Sequence, residues 1–176
     1  MGKHKVVLYI AMSLDGYIAR KDGSVDWLDD VEGDEVDNGY GKFYDSIGTV
    51  VMGRLTYDEV LSLTDDFPYA DKPCYVYSRS KQVEAPHVVF TDEPLESFIP
   101  RLKDTSKGDI WLVGGGQLVQ TFLEMKLLDE IYLAIIPKVL GEGIRLFPKG
   151  TIPNSFKLLK MEQLGQIVAL SYKVIV

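Results

Sequence analysis

The segment Asp109–Met125, D-I-W-L-V-G-G-G-Q-L-V-Q-T-F-L-E-M, constrains this chain more than any other. Ile110-Trp111-Leu112-Val113 is an apolar run too short for a helix and reads as a strand buried on both faces. Three glycines follow, after which Leu118, Val119, Phe122 and Leu123 recur at helical spacing. A strand that turns through glycine into a helix leaves the helix's first N–H groups unpartnered at the carboxyl end of a sheet. Together with the positive end of the helix dipole, those donors favour an anion such as phosphate. The same glycines also suit a tight, closely packed turn with no ligand, so both readings stay open on this stretch alone. The pattern is not the G-x-G-x-x-G of dinucleotide folds, and no acidic residue suited to a ribose follows about 20 residues on.

Two other strands end in a similar way. Thr49–Met52 closes in Gly53-Arg54-Leu55-Thr56-Tyr57, with a short helix to about Leu61. A cation at a helix start opposes the dipole, so Arg54 either meets a bound anion there or is exposed and unpaired. Cys74–Tyr77 closes in Ser78-Arg79-Ser80, two hydroxyls flanking a guanidinium, which suit a phosphate monoester but are also common turn residues. Strand ends of an open α/β sheet gather along one edge. Three such ends together point to a ligand with several phosphates, such as a dinucleotide.

The remainder reads as one α/β domain over 1–176, with a mostly parallel sheet and an antiparallel end. Val6–Ala11 is a first buried strand, 12–19 a loop, and the acidic run from Asp29 to Asp37 a solvated face. Tyr40–Ser46 is the end of a helix, with Phe43 and Ile47 buried. Val88–Phe90 is a short strand, Pro94–Lys103 a helix, and Ile131–Ile136 a strand stopped by Pro137. Residues 139–148 form a glycine-broken loop, and Phe156–Leu164 and Ile167–Val176 a hairpin around Gly165. A net charge of −7 argues against nucleic acid as a partner. No apolar run reaches the roughly 18 residues of a membrane span, and no signal peptide is evident. Cys74 is the sole cysteine, which excludes an internal disulfide and zinc clusters. A cytoplasmic protein without a metal site is expected, with His4 and His87 solvated or structural.

Four pieces, I-A-M-S-L-D-G-Y-I-A (10–19), V-M-G-R-L-T-Y (51–57), Y-S-R-S (77–80) and V-G-G-G-Q-L (113–118), occur in this order. Together they resemble the dihydrofolate reductase-like superfamily, most closely its branch similar to the reductase domain of bacterial riboflavin biosynthesis. The loop S-L-D-G-Y-I-A and the segment L-L-D-E-I-Y-L-A-I-I-P-K-V-L-G-E-G (127–143) are typical of that branch. The resemblance spans nearly the whole chain. It implies a three-layer fold, a mixed but mainly parallel eight-stranded sheet flanked by helices, with NADPH across the strand ends. It places Ala11 and Ile18 by the nicotinamide, and Gly53, Arg54 and Thr56 at the phosphates. Ser78, Arg79 and Ser80 match the segment that recognises the adenosine 2′-phosphate. Val113, Gly114, Gly115, Gly116, Gln117 and Leu118 match the cradle of the pyrophosphate and the nicotinamide-side ribose.

The substrate side departs from the pattern. Dihydrofolate reductases place a carboxylate before the G-R-x-T motif, and Asp37 stands closest to that spacing. Riboflavin-pathway reductases carry a glutamate before the paired glycines, where this chain has Val113. Asp15, in the S-L-D-G loop, is a second carboxylate facing the substrate, or only turn chemistry. Three readings follow: an NADPH-dependent reductase of a small heterocyclic or ribosylated substrate, an NADP(H)-binding sensor without turnover, and an unrelated phosphate-binding module. Leu127, Leu128, Tyr132 and the apolar hairpin offer a homodimer interface or ordinary core.

Overall fold

The computed structural model describes residues 3–31, 39–80 and 84–175. Six strands run parallel: β1 (Val6–Ser13), β3 (Ile47–Gly53), β4 (Cys74–Tyr77), β5 (Val89–Thr91), β6 (Asp109–Leu112) and β7 (Glu130–Ile136). Strand β10 (Ile167–Ile175) lies antiparallel to β7 and to the edge strand β9 (Ser155–Leu164), giving the order β5-β4-β3-β6-β1-β7-β10-β9. This is the mainly parallel eight-stranded sheet that the resemblance implies, with the antiparallel hairpin read from the sequence.

Helices cover both faces because the central strands are apolar on both. In β3, Val51 faces one core, while Val50 and Met52 face another, all three without exposure. On the first side lie α3 (Leu95–Thr105) and α4 (Gly116–Glu124), whose Phe98, Ile99, Leu102, Val119, Phe122 and Leu123 recur at helical spacing. On the second side lie α1 (Tyr40–Ser46) and α2 (Arg54–Leu63), contributing Phe43, Tyr44 and Tyr57. The hairpin extends past α3 and α4, leaving Leu158, Met161 and Val168 exposed.

Two loop assignments change. β1 runs on to Ser13, and Tyr17–Ala19 forms a short strand β2 that pairs with Ile144–Arg145, here β8. Strands of three and two residues carry no readable alternation, and their partners lie far apart in the chain, so local pattern could not reveal them.

At the amino ends of β3 and β6 the main chains touch. A Cβ on Gly48 would overlap the Gly108 nitrogen, and one on Gly108 would lie 2.6 Å from the Ser46 carbonyl oxygen. Gly48 falls at an irregularity in the β3–β6 register, between Ile47 and Thr49. Cys74 is buried in the second core, which pushes its thiol up to about 12 and keeps it from acting as a nucleophile near neutrality.

Candidate functional site

The three anion-suited strand ends lie side by side, because β4, β3 and β6 are neighbours in the sheet. Gly53 pairs with Tyr77, Val51 pairs with Leu112, and the Val113 N–H donates to the Val51 carbonyl at 2.9 Å. Gly53, Arg54, Thr56, Ser78, Arg79, Ser80 and residues Val113 to Leu118 are thereby collected on one edge. Helices α2 and α4 both begin there, each entered from a glycine with no side-chain cap and no acidic residue in its first turn. By contrast, α3, which follows the edge strand β5, has Glu96 in its first turn and Lys103 in its last. Two uncapped helix starts present free N–H donors and two positive dipole ends.

The two starts are joined. Thr56 Oγ1 donates to the Gly114 carbonyl at 3.0 Å, and Leu118 Cδ2 lies 3.8 Å from where a Cβ on Gly53 would stand. Gly114 and Gly115 have φ of +130° and +104°, backbone that side-chain-bearing residues rarely adopt. A Cβ there would also crowd Ile10 Cδ1 at 3.1 Å and Thr56 Oγ1 at 3.3 Å. This bare bend, flanked by uncapped N–H groups, fits a pyrophosphate.

Arg54 is neither unpaired nor dependent on an anion. Its Nε donates to Asp58 Oδ1 at 2.9 Å one turn along α2, and its guanidinium stands 5.6 Å from the Phe90 ring centre. Asp58 thus offsets part of the unfavourable charge at the helix start, though an exposed pair of this spacing is worth only about 0.3–0.5 kcal/mol. Phe90 pairs with Val76 of β4, so the guanidinium lies near the strand that Ser78-Arg79-Ser80 closes. Ser78 is buried, its N–H donates to the Thr91 carbonyl at 3.0 Å, and its hydroxyl accepts the Ser80 N–H at 3.3 Å. Arg79 and Ser80 are exposed.

β1 is the next strand along, and Ala11 pairs with Ala134 of β7. Ile18 packs on the core of the α3–α4 side, whereas Ala11 packs with Trp27 on the opposite face. Two residues back on that face, Tyr9 stacks on Phe43 at 4.0 Å and on Tyr132 at 4.5 Å, and Trp111 meets Tyr9 edge-on at 6.2 Å. Ala11 and Ala134, both half-buried, lie between this aromatic wall and Trp27. Tyr132 donates to Glu162 Oε1 at 3.4 Å, and burial pushes its hydroxyl up to about 12, so it stays neutral.

Of the two candidate catalytic carboxylates, Asp37 lies outside the described residues. Asp15 is bonded to Ser13 and to two backbone amides. Trp27 was not singled out by sequence reasoning. It is 2% exposed, and its indole N–H has no hydrogen-bond partner among the described residues. A tryptophan just before an acidic run is the visible signal, but nothing local reveals an unpaired donor. Among the described residues no cluster of side chains could hold a metal ion, and no helix is long and apolar enough to cross a membrane.

Comparisons with known proteins agree with this geometry. The RibD C-terminal domain family matches residues 4–170. The uncharacterized protein YwjB of Bacillus subtilis is 47% identical over 171 residues, 97% of this chain and 98% of that protein. The crystal structure of a putative riboflavin biosynthesis protein from Shewanella sp. PV-4 matches at a TM-score of 0.86 and 33% identity over the whole of both chains. A dihydrofolate reductase from Enterococcus faecalis, complexed with NADP(H), shares the fold at a TM-score of 0.63 and 18% identity over 99% of each chain. With a dihydrofolate reductase-like sheet, the motifs gathered on one edge and a family match over nearly its full length, this chain belongs to the RibD C-terminal domain family.

Proposed function

We propose that the protein is an NADPH-dependent reductase acting on a small heterocyclic or ribosylated substrate. The observation that carries this reading is the pair of uncapped helix starts on adjacent strands β3 and β6, with the hydroxyl-and-arginine turn of β4 beside them. In it, the N–H groups of Gly116, Gln117 and Leu118 hold the pyrophosphate, while Arg54, Ser78, Arg79 and Ser80 bind the adenosine 2′-phosphate. Ala11 and Ile18 flank the nicotinamide. The bound coenzyme supplies hydride, and the chain's own work is orientation and exclusion of water. The substrate ring rests on Ala11 and Ala134, walled by Tyr9, Phe43 and Trp27.

Titration of NADPH fluorescence tests the coenzyme assignment: saturable binding in the micromolar range is expected, and a folded protein that does not bind at millimolar NADPH sinks it. NADPH consumption with dihydrofolate and with the phosphoribosylaminouracil intermediate separates the two substrate classes. Tight binding with no turnover on either favours a sensor, the reading that the absent glutamate at Val113 supports.

The Trp27 N–H, unpartnered among the described residues, gives a second expectation. Leaving a buried donor unpaired costs about 1–3 kcal/mol, which a hydrogen bond to a substrate carbonyl would relieve. In Trp27→Phe, relief of that penalty offsets lost packing, so urea denaturation should show a change within about 1 kcal/mol. Substrate kcat/KM should fall about tenfold with NADPH affinity within twofold, the size of one hydrogen bond. Unchanged substrate kinetics would remove Trp27 from the site.

A further inference from the structure

Asp15 does not stand as a proton donor would. Its Oδ1 accepts the Ser13 hydroxyl at 2.6 Å and the Leu140 N–H at 3.1 Å, and its Oδ2 accepts the Gly141 N–H at 2.8 Å. Ser13 is fully buried, and its oxygen accepts the Tyr17 N–H at 3.0 Å. Three donors on one carboxylate favour its charged form, and the Ser13 hydroxyl foremost holds it below the usual range. An acid working near neutrality needs the opposite shift.

What these bonds fasten is a strap, residues 138–146, that leaves β7 and crosses to α4. The Leu14 N–H donates to the Lys138 carbonyl at 2.8 Å, the Leu146 N–H donates to the Gly16 carbonyl at 3.0 Å, and Tyr17 pairs with Arg145. The Lys138 ammonium binds the Trp27 carbonyl at 2.8 Å and the Asp30 carboxylate. The strap's far side is pressed onto α4. Leu146 has no exposure, and a Cβ on Gly116 would overlap the Arg145 carbonyl oxygen and lie 3.2 Å from the Pro148 ring. Asp15 and the first turn of α4 are therefore opposite ends of one braced segment.

We propose that Asp15 is a positioning residue whose carboxylate fixes strap 138–146 and, through Arg145 against Gly116, the bend that grips the coenzyme; this rests on the coenzyme reading above. Asp15→Asn keeps the shape but turns one acceptor into an NH2 group that faces an N–H or hydroxyl donor. Amide hydrogen exchange and NADPH titration on the full chain test it. In Asp15→Asn, exchange at Leu140, Gly141, Leu146 and the amides of Val119 and Gln120 should quicken at least about tenfold, with the β3 and β6 core unchanged, and the NADPH Kd should rise about tenfold. Ser13→Ala, a milder change, should move both in the same direction by about threefold.

Quickened exchange over the whole sheet with unchanged affinity would make Asp15 a general scaffold residue and overturn the proposal. So would a loss of kcat and of one limb of the pH profile with exchange and Kd unchanged, which marks a proton donor. If the native protein fails to bind NADPH but the strap and α4 amides still respond together, the coenzyme reading falls and the mechanical link stands. Equal NADPH affinity for native and Asp15→Asn proteins overturns the positioning role while leaving the coenzyme reading intact.

Discussion

Gly116→Ala is expected to destabilise the fold by about 1–3 kcal/mol and to weaken NADPH about 100-fold, the effect of forcing extra volume into a packed site. Propensity alone argues the other way, since alanine in a helix is favoured over glycine by about 1 kcal/mol. The backbone of Gly116 does not require glycine either, as its φ is not positive. The obstacle is the Arg145 carbonyl oxygen, a main-chain atom that cannot rotate aside, with Pro148 Cγ and Cδ at 3.2 and 3.4 Å behind it. Either α4, which follows the glycine bend, or the 138–148 segment, which abuts it, must move. Gly53→Ala is the internal control for stability, because its new Cβ meets only Leu118 Cδ2 at an ordinary 3.8 Å. Urea denaturation of both variants and NADPH titration of Gly116→Ala check this. A Gly116→Ala protein with native midpoint and affinity would show that α4 is not seated as described.

The double substitution Arg54→Ala, Arg79→Ala is expected to weaken NADPH about 100-fold while NADH changes no more than about threefold. Hydrogen bonds to charged groups contribute about 1.5–3 kcal/mol each, and only NADPH carries the 2′-phosphate they would meet. Arg54 is partly exposed and Arg79 exposed, so the NADPH advantage should shrink as salt is raised and the charges are screened. Stability should barely move, because the Arg54–Asp58 pair and the Phe90 contact are each worth no more than about 1 kcal/mol at exposed positions. Equal losses for the two coenzymes would remove the phosphate assignment.

The coenzyme edge was legible in the sequence because its chemistry is local. Gly53-Arg54, Ser78-Arg79-Ser80 and Gly114-Gly115-Gly116 each follow directly on the strand that positions them, and parallel pairing brings those ends together. The Arg54–Asp58 pair was legible too, from a four-residue spacing, yet the choice drawn for Arg54 was between an anion and solvent. Asp15 shows where local reading ends. Its place before Gly16 marks a turn, but its partners Leu140 and Gly141 lie about 125 residues away and only the folded sheet delivers them. The β2–β8 pairing is hidden for the same reason, as five residues in two strands leave no periodic trace. Trp27 is apolar bulk in the sequence, and only the packing around it shows a donor without an acceptor among the described residues.

The crossing of Gly48 and Gly108 bears on how far apart the two helix starts of the proposed coenzyme site can stand. β3 and β6 carry the two helix starts, and at their other ends main chain lies against main chain, with the Ser106 hydroxyl beside it. β6 is four residues long, a rise of about 13 Å, too short a beam to absorb a displacement at its root. The pair acts as a rivet, and the helix starts are the jaws it sets. Tuning which coenzyme those jaws accept therefore has a lever at the floor of the molecule, a sheet's length from the phosphates.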